Sequence, residues 1–374
     1  MSRRNFLAAG CASLAAALGA GGARANLPIV VGRTLPLSGQ LRAIGELKKD
    51  GGDAFMHGLN VAGGIRGRAV ELITLDDGYL ADRTVANLRQ LATQHNPVAF
   101  LGLLRLPAVD GALPLLEELK IPAVGVSSAT HLLRARFNRY GFPVRASVMD
   151  EGRKIASHIR STGLERVAVI FQDVPLGHTT RASVEAGLKE VGLGVTAFAL
   201  NATASDAAAV ARAAIAAQPQ AIFLGVLTPA AAALITELRR AAFAGALYTF
   251  SSTDAVTLHR LVGNQAMGIA ISQIVPIPDS ARLRVVADYV RAVAALGRGA
   301  PTMLGLEGYM EAKVLAEGLK RTGAAVSPES LVKALETLGE LDLGGFFVRY
   351  TPQARTGSLF VEVDMIGNNG RLIR

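Results

Sequence analysis

From Leu27 onward, short and largely apolar runs alternate with longer stretches whose apolar residues recur at helical spacing. Leu27 to Leu35, Val70 to Leu75, Pro97 to Leu104 and Pro122 to Val126 are dominated by Val, Ile, Leu and Ala, and read as strands covered on both faces. Between them, Gly45 to Ala62, Arg83 to His95 and Val109 to Leu119 read as helices. Turn-forming clusters separate the elements: Pro36-Leu37-Ser38-Gly39, Gly63-Gly64-Ile65-Arg66-Gly67, Asp76-Asp77-Gly78 and the loop Ser127-Ser128-Ala129-Thr130. Strands alternating with helices of this length predict a parallel sheet wound with helices on both faces.

The same grammar restarts after Phe142-Pro143. Helix Asp150 to Thr162, strand Arg166 to Phe171, loop Gln172 to Gly177, helix Thr179 to Val191, strand Gly194 to Leu200, helix Asp206 to Ala217 and strand Ala221 to Leu227 follow in order. Helix Leu234 to Ala242, strand Leu247 to Ser251 and the long helices Ala281 to Leu296 and Leu304 to Arg321 come next. Phe346 to Tyr350 and Leu359 to Asp364 read as a closing antiparallel pair, joined by the polar stretch Thr351 to Gly357. The pattern predicts an α/β protein of two doubly wound parallel-sheet lobes. It shows no exact internal repeat, although two lobes of similar order are compatible with one ancestral unit.

The first 25 residues follow neither pattern. Arg3 and Arg4 precede Phe6-Leu7, an acid-free Ala/Leu/Gly run extends to Gly22, and Ala23-Arg24-Ala25 follows. This reads as a twin-arginine export signal cleaved after Ala25, because the run is short and Gly-rich beside the ~20 strongly apolar residues of a spanning helix. Cys11, in Ala9-Gly10-Cys11, makes a partial lipoprotein box but stands too close to the arginine pair for an apolar segment to precede it. Cleavage would remove Arg3, Arg4 and Arg24 from a chain of net charge +9, together with its one cysteine. The mature protein is therefore expected to be periplasmic and not membrane-spanning, with no disulfide and no cysteine chemistry.

Composition narrows the function. A chain of 374 residues that is 50% hydrophobic and 18% charged is long enough for two or three packed domains and is not a disordered one. Its positive charge is diffuse and its aromatic content only 5%, which argues against nucleic acid as a partner. Catalytic spacings are weak. Gly125-Val126-Ser127-Ser128-Ala129 follows a strand as a nucleophile elbow would, but ends in Ala where that motif has Gly; a secreted hydrolase using Ser127 or Ser128 is the enzymatic alternative. The six histidines show no metal-binding spacing, no phosphate-binding glycine motif follows the first strand, and Asp76-Asp77 reads as a turn or helix cap before it reads as a metal site. No metal and no cofactor are expected.

Taken together in order and spacing, Pro36-Leu37-Ser38-Gly39 with Gly45, Gly63-Gly64-Ile65 with Gly67, Asp76-Asp77 and Phe100-Leu101-Gly102 resemble the periplasmic leucine/isoleucine/valine-binding protein family. Ile121-Pro122-Ala123-Val124, Ser128-Ala129-Thr130 and Val167-Ala168-Val169-Ile170 through Gly177 extend the match over nearly the whole chain after Ala25. The resemblance implies a type I periplasmic binding protein: two lobes joined by three crossings, here near Pro143, Ser272 and Val348. The N-terminal lobe would comprise 26–143 and 273–348, and the C-terminal lobe 144–272 and 349–374. It also implies a non-enzymatic monomer that binds a small molecule between the lobes and delivers it to ABC transporter membrane subunits. A sensor of the same fold is the alternative.

The family's ligand contacts carry over unevenly. Where amino-acid binders have a hydroxyl-rich loop after the third strand, this chain reads Leu104-Arg105-Leu106-Pro107, so Arg105 becomes the candidate partner for a ligand carboxylate and Leu106 a neighbouring contact. Ser127, Ser128 and Thr130 keep hydroxyls in the next loop. Aromatic positions of the family's pocket correspond to Ile44, Leu176 and Leu227. Asp254 corresponds to the acid that meets a ligand ammonium, with helix capping as its alternative role. Three aliphatic replacements imply a ligand less polar than a free amino acid, such as a carboxylate with an apolar body.

Overall fold

The computed structural model describes residues 27–374 except 40, 105, 127–132, 134 and 279–281, and describes only the backbone at 106–108 and 110. The first sheet is built from β1 (Ile29–Leu35), β2 (Val70–Asp76), β3 (Ala99–Leu103), β4 (Ala123–Val126) and β5 (Gly141–Phe142), all parallel, in the order β2-β1-β3-β4-β5. Helices α1 (Arg42–Val61), α2 (Ala81–His95) and α3 (Leu106–Leu119) connect its strands. Val31, Phe100, Leu101 and Val124 are buried, as apolar strands with helices on both faces must be. Helix α3 starts at Leu106, so Leu106 and Pro107 of the expected loop belong to its first turn. Proline fits there because a first-turn N–H has no helical partner to lose.

The second sheet takes the chain through α4 (Val148–Ser161), β6 (Val167–Gln172), α5 (Pro175–Glu190), β7 (Val195–Leu200), α6 (Ala207–Ala216), β8 (Ala221–Gly225), α7 (Thr228–Arg240), β9 (Ala246–Thr249), α8 (Ala255–Val262) and β10 (Ala270–Gln273). Its parallel part runs β10-β9-β8-β6-β7, and β14 (Glu362–Ile366) and β15 (Leu372–Ile373) extend it antiparallel beyond β10. Helices α9 (Arg284–Leu296), α10 (Met303–Lys320) and α11 (Pro328–Glu336) return to the first core, where Val285, Leu306 and Leu331 are buried with Phe100. Glycines let α10 approach α1: a Cβ on Gly51 would stand 1.8 Å from the Gly305 carbonyl oxygen, and one on Gly308 2.2 Å from that of Lys48. Among the described residues no helix is long and apolar enough to cross a membrane.

The expected closing pair is not a pair. Strand β12 (Phe347–Thr351) lies between β11 (Gly339–Asp342) and β13 (Ala354–Gly357) in a separate antiparallel sheet, so the stretch read as a loop contains a strand, and β14 pairs with β10 instead. Three segments join the lobes. Val144 and Ala146 belong to the first core while Val148 packs on the second; Ile274 and Val275 follow β10 into the first; Phe360 and Val361 pack on the first and Val363 on the second. Val348, near which the sequence sets the third crossing, is buried in the first core.

Asp364 of β14 is 1% exposed and neither carboxylate oxygen accepts a hydrogen bond; Arg374 Nε stands 3.6 Å away. Burial, with the neighbouring charge of Glu362, pushes its pKa up to about 6 against the pull of Arg374. The folded chain therefore keeps this proton at pH values where the unfolded chain has lost it. That contribution is complete below the ordinary carboxylate range and is lost as pH rises to about 6. We expect Asp364→Asn to raise stability at pH 8 by roughly 2–3 kcal/mol and to change little at pH 4, as read from urea unfolding at both values. A loss at pH 8 would contradict this.

Candidate functional site

Each parallel sheet changes winding direction once, between β1 and β3 in the first and between β6 and β8 in the second. Crevices outside the carboxyl ends of strands at such points are where open α/β sheets take ligands, because loops diverge there and helix N-termini point in. The two edges are built alike. On the first, Gly45 in the opening turn of α1 lies so close to the carbonyl of Pro36 that a Cβ would stand 1.9 Å from its oxygen. On the second, Gly177 of α5 stands in the same relation to the Gln172 carbonyl, also at 1.9 Å. In both lobes the helix can begin tight against the first strand only without a side chain.

At the first edge Ile44, half-buried, opens α1, and Leu106 opens α3. The acids that end β2 shape the loop. Asp76 Oδ1 accepts from the backbone N–H groups of Leu37 at 2.7 Å and Gly78 at 2.9 Å. Asp77, buried, accepts from the hydroxyls of Thr34 at 3.2 Å and Thr84 at 3.0 Å and from the N–H of Tyr79 at 2.9 Å. These bonds match the turn-and-cap reading, and among the described residues no group of His, Cys, Asp or Glu could hold a metal ion.

At the second edge Leu176 is half-buried in the first turn of α5, and Leu227, 43% exposed, precedes α7. Gln172 braces this edge, a role the sequence did not reveal because a glutamine ending an apolar run looks like any strand terminus. Its Oε1 accepts from the Leu227 N–H at 3.2 Å and its Nε2 donates to the Ala202 carbonyl at 2.7 Å, linking the ends of β6, β7 and β8. Asp254 stands on this edge as the N-cap of α8: its carboxylate accepts from Thr257 N–H at 2.6 Å, and its own N–H donates to Thr228 Oγ1 at 3.2 Å. An exposed pair also missed by the sequence reading, Asp173 and His178 at 2.7 Å, stands beside Leu176.

Arg105, Ser127, Ser128 and Thr130 lie outside the described residues, and Leu106 is described by its backbone alone. The strands that lead into them rest on a buried charge cluster. Lys48 Nζ donates to Glu307 at 3.0 Å and Glu311 at 2.8 Å, all three nearly inaccessible. Burial pulls the Lys48 pKa down, but the charges of Glu307 and Glu311 outweigh it and hold the pKa above the ordinary lysine value. Room for the Glu311 carboxylate comes from Gly102 and Gly125, side by side on β3 and β4 at φ +73° and +84°. A Cβ on Gly125 would stand 2.3 Å from Glu311 Cδ. Non-glycine residues rarely adopt that backbone, so both strand ends are shaped by an ion pair underneath them.

The sequence matches the family model for periplasmic binding proteins over residues 28–371. The structure is similar to an extracellular ligand-binding receptor from Verminephrobacter eiseniae (28% identity, TM-score 0.85, covering 93% of this chain and 100% of that one). It is also similar to a substrate-binding periplasmic protein from Ralstonia solanacearum (30% identity, TM-score 0.80, 92% and 99%). A leucine-binding protein from Thermotoga maritima shares the fold at 18% identity (TM-score 0.79, 92% and 97%). No curated protein matches the chain in sequence.

Proposed function

The chain belongs to the periplasmic binding protein family, and on that premise we propose that it is the exported receptor of an ABC importer, closing two lobes on a branched-chain amino acid or a related apolar carboxylate. The observation that carries this reading is the placement of aliphatic side chains at both switch points: Ile44 on one edge, Leu176 and Leu227 on the other. The leucine-binding protein among similar structures supports a ligand of that size. In this reading Arg105, with Ser127, Ser128 or Thr130, replaces the water a carboxylate loses on entering the cleft, because an unpaired buried charge is too costly. Asp254 already caps a helix, which favours a ligand without an ammonium group. The receptor performs no catalysis, works as a monomer, and reaches the periplasm after cleavage behind Ala25.

Calorimetry with leucine and with 4-methylpentanoate, its deaminated analogue, tests the ligand class. The analogue is expected to bind more tightly, and Arg105→Ala to weaken it by about 2 kcal/mol or more, the usual loss when one partner of a buried charge pair is removed. Clearly tighter binding of leucine would overturn the apolar-acid reading and restore Asp254 as the ammonium partner.

A further inference from the structure

The loop 250–254 brings Asp254 to the second edge, and it is pinned at both ends. At its far end the Asp254 N–H meets Thr228 Oγ1; within it Thr253 N–H donates to the Phe250 carbonyl at 2.9 Å, and the Thr253 hydroxyl stands 2.7 Å from that of Thr249. At its near end Ser251 N–H donates to Glu151 Oε2 at 3.1 Å. That same oxygen accepts from Ser272 Oγ at 2.6 Å. Glu151 and Ser272 are both buried, at 3% and 0% exposure.

Three places in the fold meet at this oxygen. Glu151 lies in the first turn of α4, which begins where the first crossing ends. Ser147 and Asp150 close that helix start as a capping box, Asp150 N–H donating to Ser147 Oγ at 3.2 Å and Ser147 N–H to Asp150 Oδ2 at 2.8 Å. Ser272 is the last residue but one of β10, and Ile274 and Val275 carry the chain from there into the first core as the second crossing. Helix α4 is itself packed tightly on α5, where a Cβ on Gly152 would stand 2.1 Å from Ser183 Oγ. A buried carboxyl is costly unless it is hydrogen-bonded, and an apolar side chain would fill the same space at lower cost. What the carboxyl adds is direction, since one point fixes both Ser251 and Ser272.

We propose that Glu151 is a positioning residue that couples the ligand edge of the second lobe to the hinge: through one carboxylate oxygen it holds the loop bearing Asp254 in register with the strand end that enters the second crossing. This coupling rests on the reading above, in which this edge meets the ligand and the lobes move. A ligand that shifts Ser251 changes the bonding at Glu151, and with it the preferred position of Ser272. Because coupling between two sites is reciprocal, loosening Ser272 must in turn loosen the loop.

Hydrogen exchange of the backbone at 250–254 reads the coupling without any ligand. Ser272→Ala removes only the bond at the hinge, yet it is expected to speed exchange of that loop by ~threefold or more. Ile222→Val, in the core of the same lobe, is the control: it should lower the urea midpoint without speeding this loop in preference to others. Spin labels at the exposed positions Gln90→Cys and Ala213→Cys, one on each lobe, in a Cys11→Ser background, read the hinge. Ser272→Ala and Glu151→Ala are expected to shift or broaden the ligand-free distance distribution by ~2 Å or more, the scale of a domain rearrangement. Glu151→Gln keeps an oxygen acceptor and should stay near wild type in both measurements; a Gln variant as loose as Glu151→Ala would overturn a hydrogen-bonded tie. Ser272→Ala deletes a single hydroxyl, so it serves even if Glu151→Ala folds poorly, and absence of either response in it would overturn the coupling. Adding 4-methylpentanoate and leucine to the labelled wild type separates the two readings. If neither moves the distance while Ser272→Ala gives both responses, ligand-driven closure fails and the coupling stands; if a ligand moves it and Ser272→Ala gives neither, the coupling fails alone.

Discussion

Lys48→Met is expected to cost about 3–5 kcal/mol of stability, the usual penalty for breaking a buried ion pair from one side. Methionine fills nearly the same space, so the loss would measure charge and not a cavity. Glu307 and Glu311 would be left with their carboxylates out of water at side-chain exposures of 4% and 2%. Each would have to take up a proton or draw water into the core, and the strand ends at Gly102 and Gly125 would shift with them. Because the Lys48 pKa is raised, its contribution is complete below the ordinary lysine range and is lost only as pH climbs through the higher folded value. Urea unfolding at neutral pH checks the magnitude. Lys48→Met combined with Glu311→Gln should recover part of the loss, because one uncompensated charge has gone. A single-variant loss under about 1 kcal/mol would mean the cluster is already hydrated.

Gly45→Ala and Gly177→Ala form the second expectation, and here two effects of opposite sign compete. Alanine in a helix gains up to ~1 kcal/mol over glycine. The new Cβ, however, would stand 1.9 Å from a backbone oxygen in each case, well inside the ~3.5–4 Å of ordinary non-bonded contact. A carbonyl cannot swing aside as a side chain can, so the helix must lift from the strand. We expect a net loss of roughly 3 kcal/mol for each, as for an overpacked core. Ligand affinity should fall too, since Ile44 and Leu176 are the immediate neighbours. Gly58→Ala, in α1 with nothing within 4 Å, is the control and should gain ~0.5–1 kcal/mol. If all three substitutions stabilise, close helix–strand approach is not what those glycines provide.

Much of the two-lobed fold is legible in the sequence because buried parallel strands are apolar throughout and their turns carry glycine, proline and aspartate. The C-terminal hairpin is misread for a specific reason: β13 contains Arg355, which looks like a loop residue yet is 1% exposed. Its guanidinium donates to Glu336 at 2.8 Å and to the Arg139 carbonyl at 3.0 Å, and lies 4.4 Å from the centre of the Phe142 ring. No local pattern announces a buried arginine whose partners come from two other segments, around residues 139–142 and at Glu336. Short β10, whose last two residues are the polar Ser272 and Gln273, is missed for a similar reason.

The candidate site divides along the same line. Ile44, Leu176 and Leu227 emerge from a resemblance spread over the whole chain, and the structure places them at the two switch points. The groups that shape those edges were not legible. Lys48 and Glu307 are 259 positions apart, and Gln172 acts on a loop 55 positions away. Such pairings appear only when the chain is folded, which is why the polar groups that shape these edges leave no signature in the sequence.

Small-angle scattering on the mature protein, alone and with saturating 4-methylpentanoate or leucine, whichever calorimetry shows to bind, tests the central claim most directly. Closure of two lobes about three crossings predicts a smaller radius of gyration and a shorter maximum dimension with ligand bound. A profile that does not change on saturation would contradict a receptor that signals occupancy by closing.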